Sequence, residues 1–166
     1  MIPLIAFVGA KVSGGNLRLE VVKFIIKTLE EMGCEVPSQH NGSENPVETY
    51  VSVVGPEAKT DHNSFRDQDY IWIDKCNLAV YEISERSHGV GAEFEHTRLK
   101  SRMGLPETPV LCLFDVNHDR ALLSPMINGV SQAETNIWIR EYADLDNIKN
   151  ILADFMIHFF GRVIYG

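Results

Sequence analysis

Continuous apolar runs and helix-period apolar stripes alternate along this chain. The run PLIAFVG, residues 3–9, is unbroken and closed by glycine, the pattern of a strand covered on both faces. After it Leu17, Val21, Ile25, Leu29 and Met32 recur at steps of four and three, one apolar stripe that stops at Gly33, a natural residue just past a helix end. CEVP, from Cys34, predicts a short second strand. Residues 41–60 are rich in Gly, Pro, Ser and Asn and read as a long loop with one helical turn; loops of that length within a compact domain often carry function. A helix is expected from Asp61 to Cys76, with Phe65, Ile73 and Cys76 near one face and Tyr70 and Trp72 at its edges. NLAVYEI then predicts a third strand, residues 93–104 a helix ending at Gly104, and PVLCLF a fourth strand. RALLSPMING reads as a helical turn broken at Pro125, NIWIREY as a fifth strand, and Leu145, Ile148, Leu152, Phe155 and Phe159 mark a closing amphipathic helix within residues 144–161.

Strands alternating with helices imply an α/β domain whose parallel sheet is wrapped on both sides and binds ligands at the carboxyl ends of its strands. One domain over residues 1–166 is expected, since 45% of the residues are hydrophobic, enough for a core of that size. The net charge of −8 works against a large nucleic-acid footprint, so an anionic ligand would need local donors. Cys34, Cys76 and Cys112 are odd in number and form no CxxC pair, which indicates neither a disulfide framework nor zinc and fits a reducing cytoplasm. The apolar opening is too short to span a bilayer and lacks a basic leader region, so no membrane association is expected.

The candidate chemistry lies in two strand-to-helix turns expected at the same sheet edge, GAKVSGGN at residues 9–16 and SERSHGVGAE at residues 84–93. A helix N-terminus offers unpaired N–H groups and partial positive charge that suit a phosphate, although turn chemistry alone also explains such glycines. Neither turn matches GxGxxG or GxxxxGK[ST]. Glu93, read as an acid in the opening turn of its helix, is favourable against the dipole by roughly 0.3–1 kcal/mol, which is the bland account of it. Asp69 on the preceding helix changes the picture, because two carboxylates at one pocket are the usual equipment for breaking a glycosidic bond. Glu93 and His96 share a helical face, but no third ligand stands at a telling spacing, so no metal is expected. His40, His62, His88, His118 and His158 show no nucleophile or ligand spacing and read as solvated or core residues. Ser87 and Ser124 lack a GxSxG context and are cast as hydroxyl donors rather than nucleophiles.

FRDQDYIWIDKCNLAVYEISERSHGVGAEFEH, together with VLCLFDVNHDRALLSPMING, resembles the 2'-deoxynucleoside 5'-monophosphate N-hydrolases of the nucleoside 2-deoxyribosyltransferase family, over residues 7 to about 142. The resemblance implies a flavodoxin-like (Rossmann-like) three-layer sandwich with a five-stranded parallel sheet. It also implies a cytoplasmic or nuclear homodimer that needs no cofactor and takes a small-molecule nucleoside monophosphate. Carried over, Glu93 falls on the nucleophile and Asp69 on the carboxylate that assists proton transfer and positions the sugar. Gly9, Gly14, Gly15 and Arg18 from the first turn and Ser87, Gly89 and Gly91 from the second fall on substrate-binding positions. So do Ser124 and Asn128, with Ser124 reaching the phosphate of the neighbouring subunit. Three departures stand out: the family's strand-one tyrosine, which meets the catalytic carboxylate, is Ala6 here; the first turn is about one residue longer and its arginine has no clear match, with Lys11 or Arg18 as the substitute; and residues 41–60, which shape the base pocket, match poorly. The alternatives are a transferase that hands the sugar to a second base and a non-catalytic nucleotide-binding module.

Overall fold

Each continuous apolar run becomes a parallel strand. In the computed structural model, which describes residues 2–12, 18–130 and 133–161, β1 (Leu4–Gly9), β2 (Cys34–Glu35), β3 (Leu78–Glu82), β4 (Val110–Asp115) and β5 (Ile137–Tyr142) form one sheet. The order is β2-β1-β3-β4-β5 and every pairing is parallel, the expected flavodoxin-like arrangement. Because successive side chains of a strand point to opposite faces, the apolar runs split into two cores. Ala6, Val8, Leu78, Val80, Leu111 and Leu113 pack under α1 (Leu19–Glu31) and α6 (Leu145–Phe160). Phe7, Ala79, Tyr81, Val110, Cys112 and Phe114 pack under α3 (His62–Lys75) and α4 (His88–Arg98).

The segment 41–60, expected as a loop with one helical turn, is more ordered than that. A 3₁₀ turn spans Gln39–Gly42 and a nine-residue helix, α2 (Pro46–Val54), follows it. The breakers sit at the helix ends: Pro46 occupies the first turn, where a missing N–H costs nothing, and Gly55 follows the last residue. Tyr50 supplies the tertiary anchor, buried with its ring centroid 4.3 Å from that of Phe65 and 6.1 Å from that of Trp72. A second difference concerns α4, which begins at His88 rather than Glu93. Ser87 caps it by accepting a hydrogen bond from the Val90 N–H at 3.3 Å. Gly89 and Gly91 therefore belong to the helix, and Glu93 lies in its second turn. The stripe Val90, Phe94 and Thr97 buries against the sheet and sets the rotation of the helix. The short helix broken at Pro125 is present as α5 (Pro125–Asn128), capped by the Ser124 hydroxyl.

Beneath the opposite end of this face, Lys100 is fully buried. Its ammonium donates to the Cys76 carbonyl at 2.9 Å and the Thr108 hydroxyl at 2.7 Å, joining the end of α3 to the approach to β4. Removing the ammonium leaves the buried Cys76 carbonyl with only the more distant Thr108 hydroxyl, 3.4 Å away, and takes a partner from that hydroxyl, which costs about 1–3 kcal/mol. Lys100→Met, which keeps the stem volume, is therefore expected to lower the urea midpoint by an equivalent of about 2 kcal/mol with an unchanged slope; an unchanged midpoint would show that the three groups are independent.

Candidate active site

The site grows out of an unfinished sheet edge. Since β2 pairs with β1 only at Leu4 and Ile5, the outward N–H and C=O of Val8 lie beyond its reach. Backbone groups buried without partners are costly, and the segment after β2 supplies them. The Ser38 hydroxyl accepts from the Val8 N–H and the Asn41 amide donates to the Val8 carbonyl, both at 2.8 Å. This clamp fixes the Gln39–Gly42 turn on the upper end of β1 and turns His40, only 6% exposed, toward the cleft above it.

That cleft, about 410 Å³, is lined from β1 and its exit by Ala10 and Val12, from the turn by His40 and Asn41, from α3 by His62, Phe65 and Asp69, and from α4 and its cap by Ser87, Gly89 and Glu93. The two carboxylates expected to act together thus share one cavity at the carboxyl end of the sheet. Asp69 follows Phe65 by four and precedes Trp72 and Ile73 by three and four, so it occupies a sheet-facing position of α3. Glu93 lies beside the buried stripe of α4 and is held from below. The Thr97 hydroxyl donates to the Glu93 carbonyl at 2.8 Å and lies 2.7 Å from the phenol oxygen of the buried Tyr81. Glu93 rests over Gly9: a Cβ added at Gly9 would lie 2.8 Å from its Oε2 and 2.5 Å from the Tyr81 ring, so no larger residue fits beneath it.

Burial governs the electrostatics. The apolar walls raise the Asp69 pKa from 3.8 to about 7. Glu93 is pushed well above the ordinary carboxylate range by burial and, secondarily, by the charge of Asp69. Two such groups in one cavity titrate as a pair, and between the two steps they carry a single proton and a single negative charge. Burial lowers His40 to about 4, so it is neutral at physiological pH. Its Nε2 lies 3.5 Å from Asp69 Oδ1 without forming a hydrogen bond, and His40 Nδ1 and Asp69 Oδ1 are both buried without partners. Each such group costs about 1–3 kcal/mol. The cleft is held in a state that stability alone does not favour.

The structure brings together Gly9, Asp69, Ser87, Gly89 and Glu93. Gly91 and Ser124 line an adjoining cavity of about 290 Å³ between α4 and α5, which shares Ser87 with the first. Asn128 sits at the far end of α5, its side-chain oxygen accepting from Arg120 at 3.0 Å. Arg18 pairs with Asp115 at the end of β4 and is not among the residues lining the carboxylate cleft, and Lys11 pairs with Glu85 at 2.9 Å. Gly14 and Gly15 lie outside the described residues, as does Leu17 of the expected first-helix stripe. Glu93, being in the second turn of α4, does not have the helix-dipole role that would explain it blandly. Ala6 faces the α1 and α6 core, on the opposite side of β1 from Gly9 and Glu93. His96 meets Asp74 at 2.7 Å and stacks on Tyr70, and among the described residues no cluster of three or more His, Cys, Asp or Glu side chains is placed to hold a metal. His40, read as a solvated or core histidine, turns out to line the cleft, which only the Val8 clamp determines.

The raised Asp69 pKa fixes the sign of a stability effect. A carboxyl group whose folded-state value exceeds its unfolded value favours folding below the lower value and loses that advantage as pH rises through the higher one. Asp69→Asn is therefore expected to melt close to the parent protein at pH 4 and above it at pH 8, by up to ~4 kcal/mol at ~1.4 kcal/mol per tenfold change in proton affinity. Calorimetry at the two pH values checks it, and a parent protein of equal or greater stability at pH 8 would contradict a desolvated Asp69.

No protein-family model matches the chain. It is 29% identical over 150 residues, 90% of its length and 82% of the relative's, to a protein of Methanosarcina mazei provisionally named 2'-deoxynucleoside 5'-phosphate N-hydrolase 1. It is 27% identical over 144 residues, 87% of its length and 90% of the relative's, to the 5-hydroxymethyl-dUMP N-hydrolase of Danio rerio. Among solved structures, a CMP N-glycosidase of Clostridium botulinum superposes with a TM-score of 0.56 at 18% identity, covering 89% of this chain and 96% of that one, a likeness of fold. The resemblance read from the motifs is thereby borne out: over about nine tenths of its length the chain is similar in sequence to N-hydrolases of deoxynucleoside 5'-phosphates, and it has the fold of an N-glycosidase.

Proposed function

We propose that the protein hydrolyses the N-glycosidic bond of (deoxy)nucleoside 5'-monophosphates, releasing the free base and (deoxy)ribose 5-phosphate through a covalent glycosyl ester on Glu93. The observation that carries this reading is the placement of Glu93 and Asp69 in one cleft whose rim is the capped N-terminus of α4. Relatives named as N-hydrolases of such nucleotides support the bond and the substrate class.

The chemistry follows from the charge state of the pair. With one proton between two carboxylates, one is an anion and the other an acid, the combination a retaining glycoside hydrolysis requires. Once the shared proton has passed from Glu93, the more strongly raised of the two, to Asp69, anionic Glu93 attacks C1' as the C1'–N bond breaks and its electron pair passes to the base. Asp69 manages the proton, giving it up as the base departs and recovering one from the water that then attacks C1' and frees Glu93, with overall retention. A transition state of oxocarbenium character is cationic, so a buried anion stabilises it more than the neutral ground state. The 5'-phosphate is assigned to the first turn of α4, where the His88 and Gly89 N–H groups have no intrahelical acceptor and the dipole favours an anion. Gly89 and Gly91 leave that turn open: a Cβ at Gly89 would meet only the Ser87 hydroxyl, at 3.7 Å, and one at Gly91 nothing within 4 Å. Gripping the phosphate there aligns C1' with Glu93 by binding energy remote from the bond that breaks.

A homodimer in which Ser124 of the neighbouring copy completes the phosphate site is part of the proposal. Ser124 lies beside the exposed Leu122 and Met126, on the wall of the cavity that shares Ser87 with the carboxylate cleft. The transferase reading differs only in the acceptor, a base in place of water. Ala6 lies on the face of β1 turned away from the cleft, and β1 holds no tyrosine, so the non-catalytic reading stands as an outcome of the assay.

Incubation with each deoxynucleoside monophosphate, with and without an added free base, is expected to release base and deoxyribose 5-phosphate without an acceptor, followed by chromatography. Glu93→Gln should abolish release, by on the order of 10³-fold or more, and Asp69→Asn should slow it roughly 10²–10⁴-fold. Ser87→Ala should raise KM roughly tenfold, the worth of a hydrogen bond to a charged group, and Ser124→Ala should do the same in a protein that sediments as a dimer. Base exchange in place of hydrolysis would indicate the transferase, and tight binding without turnover the module.

A further inference from the structure

Within the cleft, one buried group has no task in the chemistry above. His40 is 6% exposed, held on β1 by the clamp of Ser38 and Asn41 on Val8, and its ring lies among Tyr50 and Trp72, with centroids 6.0 and 5.7 Å away. An apolar ring would fill that space equally well. Instead an imidazole stands there with Nε2 3.5 Å from Asp69 Oδ1, and the two atoms without partners in this wall, His40 Nδ1 and Asp69 Oδ1, belong to the same two residues.

The chemistry of the ring settles which nitrogen holds its proton. A neutral imidazole carries one N–H and one bare acceptor nitrogen. A buried N–H without an acceptor is rarer and costlier than a buried lone pair without a donor. Nδ1 has no partner, so the favoured tautomer leaves it bare and puts the hydrogen on Nε2, the nitrogen beside the carboxylate. An Nε2–H donates more strongly to Asp69 when Asp69 is ionised, and so stabilises and orients that form.

We infer that His40 is a positioning residue for Asp69, its Nε2–H closing onto Oδ1 as Asp69 gives up its proton, which fixes one oxygen and leaves the other free to manage the proton of the reaction. This rests on the proposed function for its kinetic consequence but not for its geometry. The pull of His40 on Asp69 runs against the effect of burial, which is how a desolvated carboxylate stays able to release a proton near neutrality. The other titratable groups around His40 are Tyr50 on α2, His62 on α3 and Glu93 on α4; the segment leaving β1 lines the cleft with the uncharged Ala10 and Val12. Tyr50 donates its hydroxyl to the Ser64 carbonyl instead, and His40 Nε2 lies 3.5 Å from Asp69 Oδ1.

Nuclear magnetic resonance tests the inference without turnover. In protein with ¹⁵N-labelled histidine, His40 is expected to be the Nε2–H tautomer at pH 7 and to remain neutral to below pH 5. With ¹³C-labelled aspartate, the Asp69 titration midpoint is expected to rise by about one pH unit, tenfold in proton affinity, in His40→Phe, which keeps a ring and admits no water. His40→Gln, whose amide reaches the Nε2 position, should restore the midpoint, whereas His40→Asn, whose amide reaches only the Nδ1 position, should not. If His40→Phe does not fold, the contrast between Gln and Asn decides alone. In the hydrolysis assay His40→Phe should lower kcat about tenfold with little change in KM and displace the limb of the pH profile that follows Asp69, again with rescue by Gln. An Nδ1–H tautomer, an Asp69 midpoint that ignores His40→Phe, or equal behaviour of Gln and Asn would each overturn the inference. Absence of any base release by the parent protein would refute the proposed function while leaving the titration result to stand.

Discussion

Position 9 carries no side chain, and the carboxylate cleft depends on it. The end of β1 passes so close under Glu93 that an added Cβ would lie 2.8 Å from its Oε2 and 2.5 Å from the Tyr81 ring. The same close approach removes water from one side of Glu93, and its lower helical turn is tied to β3 through Thr97 and Tyr81. A carboxyl group so placed resists ionisation, and a second one, Asp69, resists it with the first. From that single steric allowance follows the unfavourable charge arrangement on which the proposed chemistry relies.

The cost is carried by ordinary packing elsewhere. The central strands β3 and β4 are buried on both faces, and the α1 and α6 layer contributes an apolar core with no part in the cleft. A site that spends stability on desolvated carboxylates and unpaired buried atoms needs such a reserve, since the net stability of a domain is only about 5–15 kcal/mol. The shortness of β2 belongs to the same economy. Where the strand stops, β1 is left with an open edge, and the turn that closes it also delivers His40 to Asp69.

The strand order places this cleft at the point where chain connections diverge from β1 and β3, the place where doubly wound sheets bind ligands. Fold alone decides no chemistry. What separates this cleft from a simple nucleotide pocket is the presence of two titratable acids, one from α3 and one from α4, with a helix N-terminus beside them. Relatives named as nucleotide N-hydrolases agree with that reading of the residues. Ala6 belongs to the other face of the sheet, and no tyrosine of β1 meets Glu93.

The sequence by itself determined the five parallel strands, the closing helix, and the pairing of Asp69 with Glu93 and of Ser87 with Gly89, because strand runs, stripes and short-range motifs are local patterns that survive any packing. It misplaced the start of α4 by five residues, since glycines at 89 and 91 look like a turn until Ser87 is seen to cap them, and it read residues 41–60 as loop because Tyr50 finds Phe65 and Trp72 only in three dimensions. Only the tertiary structure decided that Ala6 faces away, that Arg18 is held by Asp115, that Gly9 lies under Glu93, and that His40 meets Asp69. Each of those joins residues dozens of positions apart, through the register of β1 and the open edge beside it, and a side chain's facing across such a distance is set by packing rather than by its neighbours in the chain.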